Sequence, residues 1–324
     1  MSVTRQRALL IGGAGYLGAV LTRRLLAEGW GVTVYDALLF GPEPMKELEG
    51  DPGFCLIRGD VRDLSGLAAA IPGHDAVIVL AALVGEPACQ KDARGAVEVN
   101  YLSAILAAQA ARYCGISRFV FASTDSCYGA QEGILTESSP LRPISHYARL
   151  KMQAEQEILS LADATFSPVV LRMATLYGLS PRMRFDLIVN TLTMHAVTRR
   201  RIRIYGGEQW RPLVHVADAA EAYVLALQAA RERIHGEIIN VGSDEQNYQI
   251  GEIGRVVAGH FPGISVEVLP QAPDLRDYHV SFAKAAAVLG FRAMRGVTDG
   301  IREIARALTS GEILDPDDGR YVNA

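Results

Sequence analysis

The sequence is poor in cysteine, in net positive charge and in long apolar runs. Its 324 residues include four cysteines, which show neither a CxxC pair nor a metal-ligand spacing and are typical of reduced cytoplasmic thiols. The net charge of −4 at pH 7 provides no basic field for nucleic acid. No apolar stretch approaches a membrane span, and the first residues lack the apolar region of a secretory signal. We therefore expect a cytoplasmic protein that binds neither membrane nor nucleic acid.

Internal repeats and low-complexity segments are also absent from the sequence. Hydrophobic residues make up 49% and charged residues 21%, which is an ordinary globular balance. A chain of this length forms one large domain or two unequal ones. Its basic cluster, Arg199–Arg201 with Arg203, is more typical of a solvated surface than of a binding site. A place beside an anionic substrate is the alternative.

A glycine-rich loop near the start of the chain organises the rest. The apolar run Ala8–Ile11 predicts a buried strand, and glycines 12, 15 and 18 precede a run of helical spacing. Gly12 permits a tight turn, Gly15 lets the backbone approach a pyrophosphate, and Gly18 lets the helix pack against the sheet. A second strand ends on Asp36, which can accept hydrogen bonds from a ribose and favours NAD over NADP. This context predicts a dinucleotide site rather than a loop whose glycines serve turn geometry alone.

Strands and helices alternate after this loop. Apolar runs predict strands at residues 54–60, 75–82 and 118–123, and no hairpin signal lies between them. The sequence therefore predicts an α/β fold with a doubly wound, parallel sheet of the Rossmann type. Ligands of such a sheet gather at the carboxyl ends of its strands.

Three residues at predicted strand ends are candidates for cofactor contacts. Asp60 is placed for an adenine amino group, although capping of the following helix is a competing role. Ala81 and Ala82 are small where a cofactor would lie against the end of the fourth strand. All three predictions depend on the parallel sheet.

The predicted chemistry begins at Ser123 and Thr124, where the fifth strand ends. Tyr147 and Lys151 follow at i and i+4 and share one face if this segment is helical. A lysine ammonium one turn away favours the phenolate, so we expect Lys151 to lower the pKa of Tyr147 and make it a general base. Thr124 can bind the same substrate oxygen, and Lys151 can bind the nicotinamide ribose. Alone such a pair is usually a surface feature, but after a dinucleotide loop it predicts a catalytic pair.

Together these motifs resemble those of the extended short-chain dehydrogenase/reductase family, which includes NAD-dependent sugar-nucleotide epimerases and dehydratases. The resemblance extends from about residue 8 to residue 305 and is more specific for the family than for any one member. Further matching segments are Asp60-Val61, Asn100, Tyr128-Gly129, Leu171–Gly178, Gln209–Asp218, Asn240–Gly242 and Arg276-Asp277.

The resemblance implies roles for individual residues. Tyr147 would be the acid/base on a sugar hydroxyl, usually at C4, while Thr124 polarises the forming carbonyl and Lys151 tunes the tyrosine. Bound NAD would take a hydride and return it. The implied cofactor contacts are Gly12, Gly15, Tyr16, Leu17, Gly18, Asp36, Asp60, Val61, Ala81, Ala82, Asn100, Ser123, Tyr147 and Lys151.

The implied substrate contacts lie in the second half of the chain, at Thr175, Asn190, Arg211 and Arg276. The two arginines match family positions that bind the nucleotide diphosphate, which suits the arginine fork. A surface ion pair is the alternative for each. Thr175 stands where many members carry an asparagine that contacts the diphosphate.

Asp125 and Ser126 bear on the type of reaction. Asp125 matches the acid of the 4,6-dehydratases, but the glutamate expected next is Ser126, and a serine hydroxyl is a poor base without an activating partner. We therefore predict a sugar-nucleotide epimerase acting at C4 and requiring no metal. A 4,6-dehydratase or a 4-ketosugar reductase is the alternative, and Asp36 disfavours an NADPH-dependent reductase. A non-catalytic nucleotide-binding protein is a third possibility, disfavoured by the intact tyrosine and lysine.

The expected organisation has two lobes and a tail. Residues 1–170 are expected to form the NAD-binding domain, and residues 171–310 mainly a smaller α/β substrate lobe with segments that return to the first domain. Residues 311–324 are polar and predict a tail. Runs 96–114 and 147–161 resemble the helices that pair across a dimer axis in the family. We thus expect a homodimer, although both helices could merely cover the sheet.

Overall fold

The computed structural model describes residues 5–270 and 276–323. The first residues of the predicted NAD-binding domain and the last residue of the predicted tail lie outside this range. The strands are β1 (Arg7–Ile11), β2 (Gly31–Asp36), β3 (Phe54–Arg58), β4 (Ala76–Val79), β5 (Arg118–Thr124), β6 (Ala130–Leu135), β7 (Ser167–Met173), β8 (Thr175–Tyr177), β9 (Arg201–Tyr205), β10 (Trp210–His215), β11 (Ile238–Val241), β12 (Asn247–Gln249), β13 (Ser265–Leu269) and β14 (Asp277–Val280).

The helices lie between these strands and after them. They are α1 (Tyr16–Ala27), α2 (Leu64–Ala70), α3 (Glu86–Lys91), α4 (Ala93–Val97), α5 (Ser103–Tyr113), α6 (His146–Ser160), α7 (Ile188–Arg199), α8 (Val216–Gln228), α9 (Arg231–Ile234), α10 (Ile250–His260), α11 (Ala283–Leu289) and α12 (Val297–Thr309). A π-helical segment, Glu98–Leu102, joins α4 to α5. Within the described ranges, no helix is both long and apolar enough to cross a membrane.

The main sheet has seven strands in the order β11-β7-β5-β4-β1-β2-β3. Each neighbouring pair is parallel. The chain builds outward from β1 in one direction and from β4 in the other, which is the doubly wound arrangement, so the predicted fold class is confirmed. Such an order creates a crevice outside the carboxyl ends of β1 and β4, where ligands bind.

The sheet is buried on both faces. Successive residues of β1 point to opposite sides: Leu10 packs in a cluster with Leu21 of α1, and Leu9 packs in another with Ala107 of α5 and Ile158 of α6. Strands covered on both faces need continuous apolar sequence, which explains the unbroken apolar runs of β1 and β4.

The smaller lobe carries a three-stranded sheet, β12-β10-β8, and the parallel pair β13-β9. Helices α7, α10 and α12 pack around a separate cluster that includes Leu192, Ile253 and Ile301. Helix α12 was not predicted, although its buried residues Val297, Ile301 and Ile304 recur at helical spacing.

The described residues 311–323, where a polar tail was predicted, are mostly exposed but contact the rest of the chain at several points. Ile313 is buried, and the Tyr321 ring meets the Phe185 ring edge-on with centroids 5.6 Å apart. The main-chain oxygen of Tyr321 also accepts a hydrogen bond of 2.8 Å from the Phe185 amide. Ile313 and Tyr321 therefore attach the segment to the rest of the chain.

Candidate active site

A cavity of about 1500 Å³ lies at the carboxyl ends of the main-sheet strands and extends to the smaller lobe. Its wall includes residues at the ends of β1, β2, β4, β5 and β7, together with parts of α7 and β9. All but two of the predicted site residues line it, and the two exceptions are Asn100 and Asn190. The parallel topology thus brings together residues that are far apart in sequence.

The glycine loop has the shape that a dinucleotide requires. Gly12 has φ +87°, and a Cβ there would lie 2.4 Å from the Ala81 nitrogen. A Cβ on Gly18 would lie 2.6 Å from the Gly12 oxygen, so α1 packs tightly on the loop. At Gly15 a Cβ would meet only the Gly12 oxygen, at 3.5 Å. The space beside Gly15 is open, and a pyrophosphate fits there at the N-terminus of α1.

Asp36 is suited to hold an adenosine ribose. Its carboxylate accepts hydrogen bonds from the amides of Ala14, at 2.9 Å, and Leu38, at 2.8 Å. A carboxylate has about four acceptor positions, so two are left for ribose hydroxyls. Burial raises the pKa of Asp36, while the two amides oppose that shift.

Two further predicted contacts, Asp60 and Val61, lie on the cavity wall. The Asp60 carboxylate is paired with Arg62 at 2.5 Å. Capping of α2 belongs instead to Asp63, whose carboxylate accepts from the Gly66 amide at 3.1 Å. The competing capping role of Asp60 is therefore wrong, and both oxygens of its carboxylate accept hydrogen bonds from Arg62 instead.

Asn100 supports the cavity from behind instead of lining it. Its side chain is fully buried, accepts a hydrogen bond from the Leu83 amide at 2.8 Å and donates to the Leu83 oxygen at 3.0 Å. The predicted direct contact with the cofactor stays a prediction. In the structure, Asn100 fixes the loop after β4, and that loop lines the cavity.

Asn190, predicted as a substrate contact, does not line the cavity either. Its fully buried amide accepts from Gly178 at 3.0 Å and donates to the Tyr16 hydroxyl at 3.1 Å and the Arg184 oxygen at 2.9 Å. Both amide protons are thus used within the chain. Tyr16 itself lines the cavity and donates to the Gly178 oxygen at 2.6 Å. The Tyr16–Asn190 pair therefore connects the glycine loop to the smaller lobe.

The predicted catalytic pair lies on α6, facing β5. Ser145 caps this helix by accepting from the Ala148 amide at 3.1 Å, and Tyr147 and Lys151 both line the cavity. The Lys151 ammonium donates to the Ala122 oxygen at 2.8 Å and lies 4.5 Å from the centre of the Phe121 ring.

The pKa of Tyr147 is raised, whereas the sequence predicted that Lys151 would lower it. Burial raises the pKa of this phenol above its ordinary value, and nearby Cys127 adds to the effect. Burial also lowers the pKa of Lys151, to about 8. The sequence spacing correctly placed the pair, but it did not reveal how strongly the closed site disfavours each charged form.

A buried ionic network beneath the site was not predicted from the sequence. Arg172 pairs with Glu155 at 2.7 Å, and both side chains are almost completely buried. Glu155 also accepts a hydrogen bond from the Ser123 hydroxyl, and Arg172 donates to the Tyr128 hydroxyl at 3.0 Å. The available signal was a glutamate one turn after Lys151 on the apolar face of α6. This network joins α6, β7 and the end of β5.

Thr124 and Asp125 line the cavity at the end of β5, next to α6. The Thr124 hydroxyl oxygen accepts from the Ser126 amide at 3.1 Å, and its proton is available to a ligand. One carboxylate oxygen of Asp125 has no hydrogen-bond partner among the described residues. Burial raises the pKa of Asp125 to about 7, although Arg211 and a hydrogen bond from Tyr278 oppose the shift.

Ser126 offers no base to complement Asp125. Its hydroxyl lies 3.4 Å from that of Tyr278, and burial raises the pKa of Tyr278. A neutral phenol does not activate a serine. The Asp-Glu pair of the dehydratase pattern is therefore only half represented.

Arg211 and Arg276 both line the cavity and are joined by a hydrogen bond. Arg211 is buried and donates to the main-chain oxygens of Trp210 at 2.7 Å and Arg276 at 2.6 Å. Thr175, another predicted contact, lies on the same wall. Guanidinium groups are the side chains best suited to bind a diphosphate, and both arginines line the cavity.

The basic cluster lies at the rim of the same cavity. Arg199, Arg201 and Arg203 line it, while Arg199 pairs with Asp317 at 2.5 Å and Arg203 with Glu267 at 2.9 Å across partly exposed surface. The cluster is thus a partly exposed surface that also forms part of the cavity wall, and its place beside an anionic substrate stays a prediction. Within the described ranges, no group of three His, Cys, Asp or Glu side chains could hold a metal ion.

The fold and the site together define a Rossmann-type enzyme with a tyrosine–lysine pair beside a dinucleotide loop. The model of the NAD dependent epimerase/dehydratase family matches residues 8–242, and the chain belongs to that family. It is an NAD-dependent enzyme of the extended short-chain dehydrogenase/reductase type, as the motifs indicated.

Relatives with two different activities match almost the whole chain. A UDP-glucose 4-epimerase of Corynebacterium glutamicum is 30% identical, over 94% of this chain and 96% of the relative. A dTDP-glucose 4,6-dehydratase of an Actinoplanes species is 29% identical, over 92% and 96%. The solved structure of MoeE5 with UDP-glucuronic acid and NAD is 28% identical with a TM-score of 0.82, over 94% of this chain and 99% of that one.

Proposed function

We propose that the protein is a sugar-nucleotide epimerase that inverts C4 through a 4-keto sugar. The observation that carries the proposal is the convergence of Thr124, Tyr147 and Lys151 on one cavity that also contains the open side of Gly15. Ser126, in the place of the dehydratase base, favours epimerisation over loss of water.

The residues act on one hydroxyl of the sugar. Tyr147 takes the C4 hydroxyl proton as the C4–H bond breaks, and Thr124 donates a hydrogen bond to the forming carbonyl. When bound, NAD supplies the hydride acceptor and a cationic ring that favours the Tyr147 phenolate. After the keto sugar turns over, Tyr147 returns the proton to the C4 oxygen, and NAD, which the glycine loop and Asp36 would hold, would supply the hydride to the opposite face. No net oxidation results.

Arg211 and Arg276 hold the diphosphate while the sugar reaches Tyr147. Arg211 is fixed by its two main-chain acceptors, so its fork is pre-organised for a phosphate. The relatives act on, or bind, UDP- and dTDP-sugars. We infer a nucleotide sugar as the substrate of this chain.

The test is incubation of the purified protein with UDP-, GDP-, CDP- and dTDP-sugars in D₂O, followed by mass spectrometry and NMR. An epimerase gives a product of unchanged mass, inverted at C4, without deuterium on carbon. Loss of one water, with deuterium entering at C5, identifies a dehydratase instead. Net consumption of NADH with a 4-keto sugar identifies a reductase.

A 4,6-dehydratase is the second candidate, favoured by Asp125. Its buried carboxyl has a pKa of about 7, so it can donate or accept a proton near neutral pH. Such a residue suits the departure of the C6 hydroxyl as water. The reaction would then need a base for the C5 proton from a residue other than Ser126.

We further propose a homodimer through α5 and α6 and a cytoplasmic location. Leu102 and Tyr113, at the two ends of the α5 region, are exposed by 46% and 93%, which supports a covered face. Light scattering of wild type and Leu102→Glu tests the dimer, because a charge in the interface would give monomers.

The four cysteines support the proposed cytoplasmic location. All four are free thiols, which is typical of proteins in a reducing compartment.

A further inference from the structure

The C-terminal segment reaches the adenosine end of the cavity. Val322 and Asn323 line the same cavity as Asp36 and Phe40. Phe40 belongs to the loop that follows β2, and Asp36 ends that strand. The end of the chain therefore lies where the ribose of a dinucleotide is expected.

Arg182 connects this segment to the loop. Its side chain is 4% exposed, its guanidinium carbon lies 3.7 Å from the centre of the Phe40 ring, and it donates to the Asn323 side-chain oxygen at 2.5 Å. Its Nε has no hydrogen-bond partner in the described ranges. Stacking on a ring and an amide acceptor hold the guanidinium in one place.

The charge of Arg182 acts on the predicted ribose acceptor. Burial lowers the pKa of Arg182 to about 10, so the side chain is cationic at neutral pH. Its charge opposes the upward shift of the Asp36 pKa. Arg182 thus favours the ionised carboxylate that accepts hydrogen bonds from a ribose.

The segment that carries Asn323 is fixed at several points. Tyr321 packs on Phe185, and the Asn323 amide hydrogen-bonds to Asp186. Asp186 is itself paired with Arg184 at 2.6 Å. Asn323 is therefore held at the cavity by the same loop that contains Arg182.

We propose that Arg182 and Asn323 form a latch that holds the loop of residues 37–41 over the adenosine half of NAD and slows its release. The latch retains the cofactor between turnovers, which suits a reaction that regenerates NAD in each cycle. The proposal rests on NAD dependence and not on which sugar reaction the enzyme performs.

The experiment compares NAD release from wild type, Asn323→Ala and Arg182→Met. Asp318→Asn is the matched control, because Asp318 lies in the same segment but pairs with Arg320 and not with Arg182. The dissociation rate is measured by trapping released NAD with an excess of a scavenging dehydrogenase. We expect release at least ten-fold faster from the first two variants, and unchanged release from the control.

Thermal unfolding in the absence of NAD separates the latch from a general structural role. Asn323→Ala is expected to keep the wild-type Tm without NAD and to lose part of the increase that NAD gives. Unchanged NAD release from Asn323→Ala overturns the proposal. So does an equal loss of Tm with and without NAD. If Arg182→Met does not fold, Asn323→Ala alone decides.

Discussion

The Lys151 ammonium donates a hydrogen bond of 2.8 Å to the main-chain oxygen of Ala122. This bond joins the helix that carries Tyr147 to the strand that ends in Thr124. Lys151, a charged residue, therefore fixes the position of α6 relative to β5 in the candidate site. Neutralising or removing Lys151 should affect both the chemistry and the pH dependence of folding.

Lys151→Met should abolish a pH-dependent part of the stability. The folded-state pKa is about 8 and the ordinary value 10.5, so between these pH values the unfolded chain binds more protons than the folded one. Wild type should therefore gain stability as pH rises through this window, by about 3 kcal/mol relative to the variant. Urea unfolding of the NAD-free proteins at several pH values measures the gain.

The exposed Lys46 provides the control for this experiment. The stability difference between wild type and Lys46→Met should stay constant over the same pH window, because Lys46 is more than half exposed. A constant stability difference between wild type and Lys151→Met from pH 7 to 10.5 would contradict the buried-charge interpretation. Turnover of Lys151→Met should fall at least about 100-fold.

Asp125→Asn separates the two candidate reactions. If Asp125 only lines the sugar site, epimerisation should fall less than about ten-fold, whereas loss of a dehydration acid costs about 10²- to 10⁴-fold.

Asp125 should also make stability depend on pH. The pKa of its carboxyl is about 7 in the folded protein, so the free energy of unfolding of wild type should fall as pH rises from 4 to 7, because the unfolded chain loses this proton first. The variant should lack that decline. Product analysis and unfolding curves measure the two effects.

Glu155→Gln should destabilise the protein far more than a surface change does. It leaves Arg172 buried without its counter-charge, which typically costs about 3–5 kcal/mol. Glu221→Gln breaks the partly exposed pair with Arg24, 2.8 Å apart, and should cost less than about 1 kcal/mol. Urea unfolding compares them, and equal midpoints would refute the structural importance of the network.

Local patterns were enough to predict the parallel sheet, the glycine loop and the position of the catalytic pair. Gly12 and Gly18 show the tight geometry that their spacing predicted, and Tyr147 and Lys151 share one helix. These features depend on residue spacing, which is visible in one sequence.

Contacts between distant parts of the chain were not visible in the sequence. Asn190 bonds to Tyr16 across 174 positions, and no local pattern reports that its amide is already used. The Tyr147 pKa depends on burial by the whole site, and the docking of Tyr321 depends on Phe185. Each of these requires the tertiary structure.

The most direct test of the central claim uses a nucleotide sugar that carries deuterium at C4. The proposed mechanism predicts that the product, inverted at C4, keeps the deuterium on C4, because the hydride that leaves the sugar returns to the same carbon. Deuterium found at C6, with loss of water, would show a 4,6-dehydratase. Deuterium lost to solvent would contradict hydride return altogether.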